Sequence, residues 1–404
     1  DGAQKATLES LEFTFQPESG NEITLKSGLT NVPVQRNWRT NILGKLLTSD
    51  ITFNISIDPI YDGDYIYPDG SAQELAMAAA YGGTITLQEN VVLQEPLKIA
   101  AGKSVVINLN GKRITPPTGA DRTIQVFDGA ELVINGEGTI GSLSGGALAV
   151  CVLGGKLTIN GGTYNGGSEC SCIYLFNSAQ NGVQNKGSIE INGGTFKVKA
   201  PWNNFYYVLN QQNGSEGTIT VKGGTFENYD PSRGDDHDQP TNFVAEGYKS
   251  LQKGETYVVV PNEVTDVVSS NEDLDAAISN TEGEAIIALG NNAEISLKSG
   301  AANGKSNDFT FIGDGTSTFD VISDTETAEG GQLNYQRGST FTFQNLTIKA
   351  GEGAFDGIVC DELTYYNCTI TGKLTLYGKA TFINCTFEND MADQYSIWTW
   401  GGTE

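Results

Sequence analysis

KLTINGGTY (156–164), SIEINGGTF (188–196) and TITVKGGTF (218–226) are one phrase written three times. Each copy alternates polar and apolar residues for four positions, turns on Gly-Gly, and resumes with Thr and an aromatic residue: a strand, a corner and the start of the next strand. The marker threonines Thr163, Thr195 and Thr225 are 32 and 30 residues apart, and a looser copy, LVINGEGTI (132–140), places Thr139 24 residues before the first. So short a unit cannot bury an apolar face alone, and copies must stack on a shared core. It holds no amphipathic helix, which excludes the helical repeat families. What remains is a β-solenoid, each turn laying its strand parallel to the last at about 4.8 Å, like residues over like. The sharp corners need positive φ, which Gly adopts without strain and Asn next best. Asn135, Asn160 and Asn192 precede their glycines, and such a column can hydrogen-bond from turn to turn.

Composition agrees. Fifty Gly and 18% charged residues suit a turn-rich all-β chain of 404 residues better than a helical one. The 24 Lys and Arg against 49 Asp and Glu give a net charge of −25 spread along the chain. A basic stripe is absent, so nucleic acid and anionic membrane surfaces are poor partners. No apolar run reaches spanning length, and the chain opens on Asp1 without a basic or apolar leader. We expect an exported surface protein whose signal or lipoprotein anchor lies upstream of residue 1. The six cysteines (151, 170, 172, 360, 368 and 385) show no CxxC spacing and only one His accompanies them, which argues against zinc. Cys368 and Cys385 take the place of Leu346 in successive Asn-x-Thr motifs, so they read as an inward stack of small apolar residues, with a disulfide between neighbouring turns as the other reading.

Three segments follow. In residues 1–62, LESLEFTFQ (8–16), EITL (22–25) and VPVQRNWRTNILGKLLTSDITFNISIDP (32–59) read as strands of a small antiparallel sheet, too little for an independent core. Residues 63–262 begin with SAQELAMAAAYGG (71–83), a helix over 71–81 with Leu75, Ala76 and Ala79 on one face, Ser71 as N-cap, and Gly82-Gly83 as its stop. A short helix before the first turn is a cap for core side chains. About seven turns are expected over 84–260, closed by the GGT-free stretch NFVAEGYKSLQKGETYVVVP (242–261). In residues 263–404 the order restarts, with a capping helix over 271–280, then FTFIGDG (309–315), FTFQNLTI (341–348), LTYYNCTI (363–370) and ATFINCTF (380–387). Asn345, Asn367 and Asn384 step by 22 and 17 residues, tighter than before, and YSIWTWGGTE (395–404) starts another strand and corner, so we expect this unit to stop short of its final turns.

The stretch NVPVQRNWRTNILGKLLT (31–48) with FNISIDP (53–59) resembles the closing strands of the fimbrillin-like β-sandwich of exported Bacteroidetes surface proteins. The front half of such a sandwich has no counterpart, which implies a shortened form. Both repeat segments resemble the right-handed parallel β-helix, or pectin-lyase-like, class. That resemblance implies an all-β protein of two right-handed solenoids, each behind a capping helix, with a small antiparallel N-terminal segment. The class hosts polysaccharide lyases and hydrolases as well as non-catalytic adhesins.

Catalysis on uronate polymers would need acids in register on successive turns, either around calcium with an Arg or Lys base or as close Asp pairs. The repeat strands carry Thr, Asn, Ile and Leu instead, with Glu190 the one acid inside a GGT copy, and the Gly-His-Gly and Arg-x-Lys signatures of polygalacturonases are absent. The loop NYDPSRGDDHDQPTN (228–242) gathers Arg233, Asp235, Asp236, His237 and Asp238. It could hold calcium weakly, though its spacing is not that of an EF-hand and a solvated acidic loop is the plainer reading. It also spells Arg233-Gly234-Asp235, a tripeptide read by integrins and common by chance in such a chain. PWNNFYY (201–207) and YSIWTW (395–400) set Trp202, Tyr206, Trp398 and Trp400 beside Asn or Thr, a mix suited to stacking on sugars, although alternation must turn half of these aromatics inward, with Phe205 and Tyr207 as core candidates. Trp202, Asn203, Tyr206 and the five charged loop residues are thus the candidate ligand contacts. The expected function is a non-catalytic adhesin or fimbria-associated protein at the cell surface, with no cofactor and no catalytic or metal residue. Host or dietary glycans, or other surface proteins, are its expected partners. A polysaccharide lyase or hydrolase and a glycan-binding module are the alternatives.

Overall fold

The computed structural model describes residues 5–10, 13–15, 23–25, 30–35, 39–44, 53–58 and 72–404, the last without 168–170, 177–185, 235–240, 291, 298–299, 303–306, 323–333, 352–355, 390–394 and 400–404. Residues Asp1–Pro68 form one compact unit and Asp69–Glu404 another. In the first, Lys5–Ser10 pairs antiparallel with Thr30–Gln35, Phe13–Phe15 with Ile23–Leu25, and Arg39–Gly44 with Phe53–Asp58. Val32 is fully buried there.

The second unit is mostly strand, in long parallel sheets visited in rotation. Sheet A takes Gly83–Thr86, Ser104–Asn108, Glu131–Asn135, Lys156–Ile159, Ser188–Ile191 and Thr218–Val221, each parallel to the one before. Sheet B runs alongside from Val91–Val92 through Lys112–Thr115, Gly138–Gly141, Thr163–Gly166 and Thr195–Val198 to Thr225–Glu227. Sheet C holds Leu97–Ile99, Arg122–Phe127, Leu148–Leu153, Ile173–Leu175 and Leu209–Gln211. Thr139, Thr163, Thr195 and Thr225 are direct partners in sheet B, so the repeat marker of the sequence is a physical column. Sheet A has six strands, and Val244 adds a single parallel bridge to Val221 where a seventh would lie. Thr256–Pro261 pairs antiparallel to Thr225–Glu227, and Tyr248–Lys253 pairs antiparallel to it in turn, so this stretch closes the sheet as a hairpin.

Two columns explain why the circuits stay in register. Asn135 Nδ2 donates to Asn108 Oδ1 at 3.0 Å, Asn160 to Asn135 at 2.8 Å and Asn192 to Asn160 at 2.9 Å, one continuous amide ladder. The left-handed backbone position is taken by the following glycines, Gly162 at φ +92°, Gly194 at +105° and Gly224 at +104°. Inside, Tyr164, Phe196 and Phe226 stack with centroids 4.9 Å apart and rings within 11° of parallel. Stacking adds about 0.5–1.5 kcal/mol per pair beyond the area buried.

After Pro261 the pattern restarts. Sheet D runs from Asp266–Val268 through Glu284–Leu289, Asp308–Ile312, Thr340–Gln344 and Glu362–Tyr366 to Lys379–Ile383, all parallel. Sheet E follows with Glu294–Ser296, Thr318–Asp320, Thr347–Lys349, Thr369–Thr371 and Thr386–Glu388. Here Asn itself occupies the corner, with Asn345, Asn367 and Asn384 at φ +54°, +52° and +53°. Phe311, Phe343, Tyr365 and Phe382 stack at 5.4, 5.4 and 5.0 Å.

Helix α1 (Ala72–Tyr81) buries Leu75 and Ala79. Ala78 packs beside them while Ala76 is exposed, because positions i, i+3 and i+4 set the buried stripe. Ser71 lies outside the described residues. Helix α2 (Asn271–Asn280) is capped by Ser270, whose hydroxyl accepts from Asp273 N at 3.2 Å, and it buries Leu274, Ala277 and Ile278. A small cluster of Val260, Val264, Val267 and Ala288 joins the hairpin to the start of sheet D.

Candidate functional site

Charged side chains on the parallel sheets answer one another across circuits. Glu190 lies 3.1 Å from Lys222, Lys197 3.9 Å from Glu227, Lys349 3.6 Å from Asp320, and Lys379 2.8 Å from Glu362. Glu190 is held below the ordinary carboxyl range by its hydrogen bonds from Lys222 and Asn192. A general acid at neutral pH would need the opposite shift. Glu284 and Asp308 are acids in register on sheet D, both exposed, and Thr340 Oγ1 donates to Asp308 Oδ1 at 2.5 Å. Among the described residues, no group of three His, Cys, Asp or Glu side chains is placed to hold a metal ion.

The WNNF segment builds a rigid tip. Trp202 and Phe205 exchange both backbone hydrogen bonds, at 2.9 and 3.0 Å, and Asn203 and Asn204 between them sit at φ +48° and +65°. Two consecutive left-handed residues make a type I′ turn, which Asn tolerates better than other side chains. Trp202 is 47% exposed at this tip, with one edge against Tyr207 at 5.9 Å. Tyr207 is buried and Phe205 meets it edge-on at 4.6 Å, so the inward half of the motif is core. Tyr206 is half-buried against that core. The hairpin therefore offers Trp202, Asn203 and Asn204 to solvent, and Tyr206 only in part.

Arg233 ends the short helical turn Pro231–Arg233, which Asp230 starts by accepting from Ser232 N at 3.0 Å. Arg233 is exposed, but Gly234 is buried and exchanges hydrogen bonds of 2.9 Å with Thr241. A Cβ at Gly234 would lie 2.2 Å from Tyr229 Oη and 2.5 Å from Phe243. Glycine is there because Tyr229 and Phe243 leave no room, which accounts for the middle residue of the Arg-Gly-Asp spelling. Asp235, Asp236, His237 and Asp238 lie outside the described residues.

Two clefts had no signal in the sequence, since each draws on distant segments. One of about 380 Å³ is lined by Thr195, Thr225, Lys253, Val258, Ser269 and Asp273, with Lys253 ion-paired to Asp266 at its side. The other, about 390 Å³, is an open trough along the amide ladder, with Thr86, Asn108, Asn110, Asn135 and Glu137 on its walls. The first offers hydroxyls with Lys253 and Asp273, the second amides with Glu137, which suits polar contact but sets no acid beside a second acid in the lining of either.

Cys151, Cys172, Cys360, Cys368 and Cys385 are free thiols. Burial pushes Cys151 up to about 11 and Cys360 up to about 12, and raises Cys172 and Cys368 as well. Such thiols are poor nucleophiles at neutral pH. Cys170 and Trp400 lie outside the described residues.

Residues 2–95 match the model of a family of unknown function (DUF6562). No curated protein and no solved structure matches this chain. Among the described residues, no helix is long and apolar enough to cross a membrane.

Proposed function

We propose that this chain is a non-catalytic, exported surface protein, an adhesin or fimbria-associated component. In this reading residues 1–62 are fimbrillin-like strands of the kind found in Bacteroidetes. Residues 63–262 and 263–404 are two right-handed parallel β-helices of the pectin-lyase-like kind, each capped at its start by a helix. The observation that carries it is the pairing of strand acids with lysines one circuit away, Glu190 with Lys222 and Glu362 with Lys379. Such pairs hold the surface together rather than poise an acid and a base. A stiff stack of circuits with a net charge of −25 is suited to reaching outward and staying soluble.

The test is incubation of the full chain with uronate-containing polysaccharides, with and without calcium, beside a retention assay of protein-coated beads on immobilised glycans and surface proteins. Bead retention without chain scission is expected. Scission that disappears in Glu284→Gln or Asp308→Asn would overturn the reading in favour of a hydrolase.

A second reading, a glycan-binding module, is favoured by the Trp202 tip. An exposed indole on a pre-set turn, flanked by two amides, can stack on a sugar ring with little ordering cost.

A further inference from the structure

Leu346, Cys368 and Cys385 form one column beside the corners that join sheets D and E. The pairs Tyr366 with Ile383 and Thr369 with Thr386 bracket the two cysteines, which puts them in equal backbone positions one circuit apart. Their thiols are turned the same way. Cys368 Sγ lies 3.4 Å from Phe343 O, and Cys385 Sγ 3.4 Å from Tyr365 O, so each reaches toward the circuit before its own. For Cys385, that earlier circuit is the one that carries Cys368. In-register residues on adjacent strands have Cα atoms about 4.8 Å apart, inside the roughly 4.4–6.8 Å that a disulfide spans. On its other side the circuit before it carries Leu346 at the same position, where Thr369 N donates to Leu346 O at 3.0 Å, so the column offers Cys368 one partner.

We propose that Cys368 and Cys385 are a cross-circuit disulfide pair that closes in oxidising surroundings and ties Lys379–Ile383 and Thr386–Glu388 to the circuit before them. Among the described residues, Ile383 and Phe387 on these strands are 44% and 39% exposed.

The chemistry needs a disulfide-bearing oxidant. Cys385, the half-exposed thiol, attacks it as a thiolate, forming a mixed disulfide and releasing one thiol. Cys368 then attacks the Cys385 sulfur, the Sγ–Sγ bond forms, and the second thiol leaves. The two protons lost by the cysteines end on the two released thiols, and the two electrons reduce the oxidant. Burial of Cys368 keeps its thiolate scarce, so the second step is the slow one.

The experiment incubates the full chain with oxidised glutathione at mildly alkaline pH, then quenches, unfolds, alkylates and maps the peptides by mass. The expected product is a cross-linked pair of peptides carrying Cys368 and Cys385, with Cys151, Cys172 and Cys360 alkylated. Proteolysis between 379 and 388 should slow several-fold on oxidation and return with reductant. Cys385→Ser should leave Cys368 alkylated and abolish the slowing. Cys385→Val serves the same purpose if the serine variant does not reach the parent's reduced melting temperature. Glutathione left on Cys385 beside an alkylated Cys368, a different cysteine pair, or two alkylated cysteines would each overturn the proposal.

Discussion

Asn160 donates from Nδ2 to Asn135 Oδ1 at 2.8 Å and accepts at its own Oδ1 from Asn192 at 2.9 Å. It is a link with both hands occupied, and that relationship sets how it should fail. A net contribution of about 0.5–1.5 kcal/mol per hydrogen bond makes Asn160→Ala cost about 1–3 kcal/mol, measured by chemical denaturation. Asn108→Ala should cost a similar amount, since it breaks the bonds to Thr86 and from Asn135. A loss near zero for both would mean that water replaces the ladder at no expense.

Phe196 is sandwiched between Tyr164 and Phe226. Phe196→Ala should destabilise by about 3–5 kcal/mol, the usual range for a buried aromatic truncated in a core. Phe196→Leu should retain most of the burial and lose the two ring contacts, about 1–3 kcal/mol in all. The order of the two midpoints in denaturant checks the claim.

Gly194 combines φ +105° with a Cβ position 2.8 Å from Gly162 O. Gly194→Ala therefore meets both backbone strain and a backbone clash, and should cost about 2–4 kcal/mol. Gly102 also has a positive φ, +70°, but open space around it, so Gly102→Ala should cost about 1–2 kcal/mol from strain alone. Comparing the two separates strain from crowding.

The folded-state pKa of Glu190 lies below its ordinary 4.5. A depressed carboxyl contributes stability that is full above its unfolded pKa and is lost as pH falls through the lower, folded one. Lys222→Ala should thus cost under about 1 kcal/mol at neutral pH, as both partners are partly exposed. The gap between parent and variant should close below pH 4.5. A gap that is constant from neutral to acid pH would assign the loss to packing of the lysine stem.

Trp202→Ala should leave the melting temperature nearly unchanged, because the indole is 47% exposed, while removing any retention on neutral glycans. Asn203→Pro should also remove that retention, by a different route and with some loss of stability, since proline cannot adopt the φ of +48° that the turn requires. A glycan array run on both variants distinguishes loss of the stacking surface from loss of the tip's shape.

The repeat was legible because two constraints coincide at each copy. Gly-Gly marks a corner that only particular backbone angles can make, and the aromatic after Thr marks a stack that only like residues can continue. Thr163, Thr195 and Thr225 could be placed over one another before any coordinates were known. The hairpin over 248–261 was less legible, since YKSLQK and TYVVVP have the same strand character whether they run parallel or antiparallel. Nothing in strand propensity chooses direction, so the stretch could be read as a closure from its missing GGT turn and its Pro261, but not as an antiparallel hairpin. Trp202 was found by composition, but its exposure depends on the paired left-handed asparagines, a feature of φ rather than of hydropathy. The two clefts were out of reach because neither has a local pattern: Thr195 and Asp273 meet only once the chain has gone round several times.

The copies differ in length by up to eight residues while their threonines stay in line, and Asn345, Asn367 and Asn384 hold one column over steps of 22 and 17. Alignment is fixed at the corners and indifferent to what hangs between them. A lineage carrying this chain can therefore lengthen, shorten or exchange the excursions between strands without renegotiating its interior, so that its outward identity is free to drift quickly around a skeleton that barely changes.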